Sequence, residues 1–540
     1  MYSLPLAVAC DFLCYNHHNH SRVDDLIARK GPLATATLIL MVGFVASRLL
    51  GLVRSIVIAT LFGTAADYNV YLAAFRIPDF LFQILAGAVL GSAFLPTFTG
   101  YMAKGQRREG WLLASSILNA VALGTFVLSV LAWLFAPFFW PRVFPGFSDA
   151  EQTALGVQLT RIMLLSPIFF GISGIVTGIL NGQKHFLAPA VAPLIYNLSI
   201  IGGAWLFGGP WGTKGLAVGV AAGALAHLLV QLPALRSGGM EYSPRIVFGH
   251  PGVREVGRLM VPRAVGLAAV QINFLVITIL ASSLPEGKLA ALDYAWQAMM
   301  MPLGIFGMAI STAVFPTLAE EASLDQLDKM KATLLQSLRL ILFLTVPASL
   351  GLIILREPLI ATVFERGAFV SSSTEATAYA LMFYTIGLTG HGALEIINRG
   401  FFALRDTRTP VAVGVGAMVV NAAMCMLLIR ILGHGGLALS MSIAAIIESS
   451  VLLLLLDRRL QGLIDRQTVL AVGKMIAGGA VMSVVLVGFL RLPLALGGNG
   501  LQRAIDTGLA IAVGGATYLL AMWMMGSEEV TTLSRRVLRR

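Results

Sequence analysis

The chain has 540 residues, 57% of them hydrophobic and only 12% charged, with a net charge of +11. Such a composition excludes an ordinary soluble globule and describes a polytopic membrane protein. Lys and Arg fall mainly between apolar segments, where charge orients helices in a bilayer, so nucleic acid is not an expected partner. The strict polar/apolar alternation of a lipid-embedded β-barrel is not the recurring pattern.

Residues 1–32 read as an extension outside the fold, expected to be disordered, and make a poor signal peptide, because no basic residue precedes "LPLAVAC". Cys10 and Cys14 stand near His17, His18 and His20, but the spacing fits no structural zinc pattern. With Cys425 they give neither a disulfide framework nor a metal site, and no cofactor is expected.

From residue 33 onward, fourteen apolar runs of membrane-spanning length follow, centred near 45, 82, 123, 169, 198, 225, 271, 302, 346, 386, 420, 446, 480 and 515. An even number puts both termini on one side. Basic residues crowd the alternate loops that share that side, including "KGQRR" (104–108), "RDTR" (405–408) and the terminal "RRVLRR", which predicts cytoplasmic termini. The connections are too short to fold into a catalytic domain. No phosphate-binding glycine loop, nucleophile elbow or zinc-helix motif is present, so the chain reads as a non-enzyme.

The sequence also repeats itself. "SRLLGL" (47–52) returns as "PRAVGL" (262–267), "SAFLPTF" (92–98) as "TAVFPTL" (312–318), and "GTKGLAV" (212–218) as "GHGGLAL" (433–439). Each copy holds six apolar runs, so the copies insert with the same topology and face each other across a central cavity. The expected organisation is all-α: a first lobe over 33–240, a second over 241–460, and an appended helix pair with a basic tail over 461–540.

Four arginines lie at or within apolar runs: Arg48, Arg54, Arg76 and Arg263. An arginine near a helix end can snorkel to the headgroups. One at depth costs a few kcal/mol and faces a wet cavity. For Arg48 and Arg54 the apolar run continues through "SIVIATLFG", which favours the cavity, and Gly51 allows a bend that would bring the two together. Arg263 is the repeat counterpart of Arg48, and both readings stay open for it. Arg76 lies beside Pro78 and three residues before Asp79, so a local ion pair and a substrate contact are equally good accounts. A site lined by arginine selects an anion, most naturally a phosphorylated one, because the guanidinium fork is permanently charged and binds phosphate bidentately. Glu448 reads as the one carboxylate deep in a span and as a coupling residue for a proton or sodium, against a paired structural acid. His227 and His391, single in their spans, read as satisfied core histidines. Thr409 reads as the N-cap of a helix with Pro410 at its first position.

The ordered set "SRLLGLVRS", "AFRIPDFL", "GSAFLPTF", "ERGAF" with "ALRDTRTPV", and "GHGGLALSMS" resembles the MurJ/MviN family of peptidoglycan lipid II flippases, in the MOP superfamily. The resemblance runs from about Leu33 to the C-terminus. It implies fourteen helices in two pseudo-symmetric lobes plus a final pair, in the bacterial cytoplasmic membrane. It also implies transport of a polyprenyl-pyrophosphate-linked disaccharide-pentapeptide by alternating access, with membrane lipid around the tail; the sequence names no protein partner. Arg48 and Arg54 match functional arginines of the family's first helix, and Arg76 a basic position of the second. Ser55 and Asn69 stand where the family pattern has Asp, Phe82 and Gln83 where it has a basic pair, and Trp296 and Gln297 where it has Asp-Arg. Another polyprenyl-pyrophosphate-linked saccharide as substrate, or a non-transporting scaffold of envelope synthesis, are the alternatives.

Overall fold

The computed structural model describes residues 32–87, 94–463, 465–491 and 500–530. The Cys/His segment, the rest of the extension before Pro32 and the terminal basic tail lie outside them. Among the described residues every regular element is a helix.

The first lobe begins with α1 (Pro32–Phe62), α2 (Ala66–Phe82) running into a π-helix (Gln83–Gly87), and α3 (Leu95–Ala103). Next come α4 (Arg107–Val143), α5 (Ala150–Met163), α6 (Leu165–Gly182), α7 (Leu187–Trp211), α8 (Thr213–Leu229) and the short α9 (Leu232–Ser237). The second lobe holds α10 (Pro251–Ser282), α11 (Lys288–Ser323), α12 (Leu327–Ile354) and the short α13 (Arg356–Phe364). It is completed by α14 (Ser371–Ile386), α15 (Leu388–Ala403), α16 (Arg408–Leu432) and α17 (His434–Arg459). The appended pair is α18 (Arg466–Leu490) and α19 (Gly500–Met524).

Among the described residues twelve helical stretches are long and apolar enough to cross a membrane, and α14 with α15, bent by 44°, makes a thirteenth. The remaining predicted run, near 82, is the α2, π-helix and α3 segment, part of which lies outside the described residues. Its interruption has a local cause: Pro78 lies inside α2, and the turn tightness changes five residues later.

The sequence repeat is a conformational repeat. Gly212 and Gly433 precede α8 and α17 with nearly the same backbone, φ 56° and ψ −138° against φ 56° and ψ −131°. Side chains at positive φ are disfavoured, so glycine heads both copies. The bend at Gly387 is stabilised from neighbouring helices. Ser442 donates to the Phe383 carbonyl at 2.7 Å and Ser349 to that of Thr385 at 2.5 Å, giving partners to groups that the break frees. Small residues allow a close helix crossing: a Cβ on Gly203 of α7 would lie 2.6 Å from the Gly219 Cα of α8. The final pair packs on α12 through Phe343 and Tyr518, whose rings are 5.3 Å apart, while Arg339 ties α12 to Asp465 at 3.9 Å and Glu528 at 3.7 Å.

α10 reaches into both halves of the molecule. Val253 and Val256, near its start, are buried in the cluster of Phe94, Phe98 and Trp111, whereas Ile277 and Ala281 join the central cluster with Tyr294. The segment before it is pinned along α4, where Asn119 donates to Ser243 O at 2.9 Å and Val247 N donates to Ser116 Oγ at 3.2 Å.

The helix after "RDTR" starts at Arg408, one residue before the position expected for its cap. Asp406 does the capping: its carboxylate accepts from Arg408 N at 3.0 Å, Thr409 N at 3.1 Å and Thr409 Oγ1 at 2.7 Å, and it pairs with Arg459. Thr409 was the wrong candidate because its hydroxyl is spent on that carboxylate. Partial burial works to raise the Asp406 pKa, but the bonds from Thr409 and Arg459 outweigh it and hold the group below the usual carboxylate range. Asp406→Ala is expected to cost about 1 kcal/mol, read as a lower apparent melting temperature of the detergent-solubilised protein. The stabilisation is present above the ordinary carboxylate pKa and is lost as pH falls through the depressed one, so the wild-type advantage should vanish in acid.

Candidate functional site

The two lobes meet tightly at one end, called here the Gly63 end. Gly63 follows α1 at φ 53°, and a Cβ there would overlap the Ala368 carbonyl. Ala368 N donates to Thr60 O at 2.8 Å, Thr64 and Ser373 share a hydrogen bond of 2.8 Å, and Ala290 N donates to Asn69 Oδ1 at 2.8 Å. Tyr294 OH donates to Gly63 O at 3.2 Å. An aromatic plug backs this seam, with Tyr68 stacked on Phe62, Tyr71 and Tyr294, and Tyr294 against Phe364 and Phe369. Asn69, where the family pattern has Asp, is thus a seam residue.

Directly beneath the plug lie Arg54 and Arg76. Arg54, in α1, is within electrostatic reach of Tyr68, Tyr71 and Tyr196 in its own lobe and of Asp293 across the junction. Arg76, in α2, places Nη2 3.9 Å from Asp293 Oδ1, donates from Nε to Thr278 Oγ1 at 3.2 Å, and lies over the Phe274 ring at 5.3 Å. Its ion-pair partner is therefore on α11 and its hydrogen-bond partner on α10. Asp79 remains within its field and is hydrogen bonded with Gln83 and Gln271.

Asp293 is held from its other side. Gln297, one turn on, donates to Asp293 Oδ2 at 2.6 Å, and its Oε1 accepts from the Ser55 hydroxyl of α1. Two positions where the family pattern carries charge, Ser55 and Gln297, are here a neutral pair in direct contact. Trp296 turns away into an aromatic cluster with Phe274, Tyr384 and His391, and Phe82 packs on Phe170.

Six residues along a helix is about 9 Å, and Arg48 lies at a different level from Arg54. α1 continues as a helix through Gly51, with Ser55 bonded back to the Gly51 carbonyl at 3.1 Å. Arg48 is exposed and reaches α11, with Nη2 3.4 Å from Met308 Sδ and its guanidinium beside Gly304. Arg263 stands on α10 where that helix passes between the π-helix and α16, as Leu267 meets the place of a Gly87 side chain and Gly266 faces Val411. The structure thus joins Arg54 and Arg76 through α11, and spreads Arg48 and Arg263 along the helices leading to them.

The acidic reading needs correction. Glu448 is half-buried on α17 beside Gly414 of α16, but it is not the one deep carboxylate: Asp79 and Asp293 also lie within helices of the core. Asp293 was missed because it falls five residues into α11, close to the polar "PEGK" turn, where a carboxylate passes for an end group. The apolar run beginning at Leu289 was the available signal. Glu395 faces α11, with Ser311 donating to it at 3.5 Å. Of the histidines, His227 is satisfied by Ser173 at 2.7 Å, whereas the buried His391 Nε2 has no hydrogen-bond partner. Among the described residues no group of three or more His, Cys, Asp or Glu could hold a metal.

Comparison with known proteins agrees with this architecture. The profile of the family described as "Lipid II flippase MurJ" matches residues 58–501. A "Probable lipid II flippase MurJ" of Vibrio cholerae is 32% identical over 89% of this chain and 94% of its own length. The "Lipid II flippase MurJ" of Burkholderia cenocepacia is 31% identical over 76% and 81%. Among solved structures, "Lipid II flippase MurJ, inward closed conformation" superposes with a TM-score of 0.76 at 25% identity, covering 93% of this chain and all of that one. An inward-facing multidrug MATE transporter of the MOP superfamily shares the fold at a TM-score of 0.65 and 16% identity. The profile match across most of the chain, with relatives of this similarity along nearly its full length, places the chain in the MurJ lipid II flippase family.

Proposed function

We propose that this chain moves lipid II across the bacterial cytoplasmic membrane by alternating access, with both termini in the cytoplasm and the Gly63 end facing outward. The observation that carries the reading is the position of Arg54 and Arg76: permanent cations at the junction of two lobes, under a seam closed at one end only by side chains and short turns. Arginine forks there can grip a diphosphate bidentately. Arg48 and Arg263, nearer the cytoplasmic end, supply further positive charge along the entry path and steer an anionic head group inward. The polyprenyl tail stays in lipid, beside the appended pair α18 and α19. The working units are residues 33–240, 241–460 and 461–540, with residues 1–32 preceding them.

Opening at the Gly63 end, with closure at the other, would release the head group outside. Glu448 is the candidate coupling residue, since a carboxylate between α17 and α16 needs a proton or a cation for company. The same arginine chemistry reads any polyprenyl diphosphate, so specificity for the sugar-peptide rests elsewhere in the cavity. Rescue of a bacterium depleted of its own lipid II flippase tests the reading. Growth restored by expression of this chain supports it. Failure of the expressed, membrane-inserted chain to restore growth contradicts it.

A further inference from the structure

Arg76 is already occupied. Its Nε donates to Thr278 at 3.2 Å and its Nη2 faces Asp293 at 3.9 Å, so the guanidinium that would grip a phosphate already faces protein groups of the second lobe. Asp293 belongs to the second lobe and Arg76 to the first. The carboxylate is also aimed: Gln297 holds Oδ2 at 2.6 Å, and Ser55, next to Arg54, holds Gln297. Both side chains of the ion pair keep some solvent contact, 22% for Arg76 and 20% for Asp293, so an incoming anion can reach them. Asp79 and Asp293 both lie within reach of Arg76, so an anion entering the site competes with side chains already beside that guanidinium.

We propose that Asp293 is the internal anion of the cavity: it holds Arg76 when the site is empty, yields it to the substrate diphosphate, and recaptures it after release. This rests on the flippase reading and adds the means by which the site is reset. A ligand shifts a conformational equilibrium only by what it gains in one state over another. Here the diphosphate replaces a bond that ties the lobes together with one that does not, so binding loosens the junction just beneath the seam. An Asp293 carboxylate left without Arg76 in a dry site would be costly. Opening at the Gly63 end lets water replace the head group, and the pair re-forms as the seam closes again.

The test is equilibrium binding of undecaprenyl diphosphate to the purified full-length protein, wild type against Asp293→Asn. The amide can still accept from Gln297 but no longer competes for Arg76. The expected result is binding at least five-fold tighter in Asp293→Asn, with lipid II translocation showing a lower half-saturating concentration and a lower maximal rate. Asp293→Glu should bind within two-fold of wild type. Adding Arg76→Gln to Asp293→Asn should abolish the gain. Equal or weaker binding by Asp293→Asn overturns the proposal. A second measurement keeps Asp293 in place: nitroxides at Ser148→Cys, exposed in the turn between α4 and α5, and Glu375→Cys, exposed in the first turns of α14 beside Ser373, in a cysteine-free background, report the separation of the lobes. Undecaprenyl diphosphate should broaden or lengthen that distance in the presence of Asp293, and an unchanged distance with the lipid bound overturns the proposal. If the wild type binds no undecaprenyl diphosphate at all, the flippase reading itself falls. Binding without the Asp293→Asn gain removes only the exchange.

Discussion

Arg54→Ala is expected to abolish rescue of a flippase-depleted bacterium while the protein continues to be made and inserted. Arg54 is the cation that faces both the tyrosine plug of its own lobe and Asp293 of the other. Removing one partner of a desolvated charge interaction costs about 3 kcal/mol, roughly a hundredfold in affinity. That loss falls on the head group's binding and on the charge balance of the empty site. Arg54→Lys keeps the charge without the planar fork, so partial rescue is expected from it. Arg48→Ala should be less severe than Arg54→Ala, because Arg48 is exposed and its contacts are with Met308 and Gly304. Normal growth with Arg54→Ala would remove the arginine from the mechanism.

The second large effect is expected from Gly63→Leu. Gly63 has φ 53°, a conformation that costs an L-residue about 1–2 kcal/mol, and its added Cβ would overlap the backbone carbonyl of Ala368. A carbonyl held by the turn that follows α13 has little room to give way. Shifting a two-state equilibrium from one extreme to the other takes about 5.5 kcal/mol, and the backbone overlap adds to the strain of the positive φ in the same direction. The seam between Thr60, Thr64, Ala368 and Ser373 should then fail to close. Transport should be lost, and a cysteine at Ser373, buried in the closed seam, should become reactive to a membrane-impermeant thiol reagent applied to intact cells. Unchanged labelling at Ser373→Cys in the Gly63→Leu background would show that the seam tolerates the side chain.

These two positions differ in how far the sequence disclosed them. Arg54 was conspicuous, because a permanent charge in an apolar run has few explanations. The two-lobe plan was legible too, since "GTKGLAV" and "GHGGLAL" return at the same place in the topology and lead to the same glycine conformation at Gly212 and Gly433. What could not be read was which groups meet across the junction. Ser55 and Gln297 are 242 residues apart, and Ala290 and Asn69 are 221 apart. Nothing in local spacing couples such positions. Arg76 shows the same limit. Asp79, three residues away, was the natural partner by helix geometry, yet the closer ion pair is made with Asp293 because α2 and α11 turn these faces toward each other. Local rules failed at Asp406 for a simpler reason: two residues could cap the same helix, and because it begins at Arg408, Asp406 precedes its free N–H groups while Thr409 lies inside it.

The substitutions of charged family positions by Ser55 and Gln297 acquire a physical meaning in this arrangement. Where the resemblance puts charge on both sides of the junction, Ser55 and Gln297 are neutral and bond to each other. Asp293, one turn from Gln297, meanwhile gives Arg76 a counter-ion. The junction keeps its polarity with fewer charges.

Translocation by the purified chain in proteoliposomes tests the central claim most directly. Fluorescent lipid II, placed in both leaflets, should cross between them at a rate that depends on the protein and that falls about a hundredfold with Arg54→Ala. Binding of lipid II without movement between leaflets, in wild-type proteoliposomes, would contradict the account and point to a scaffold.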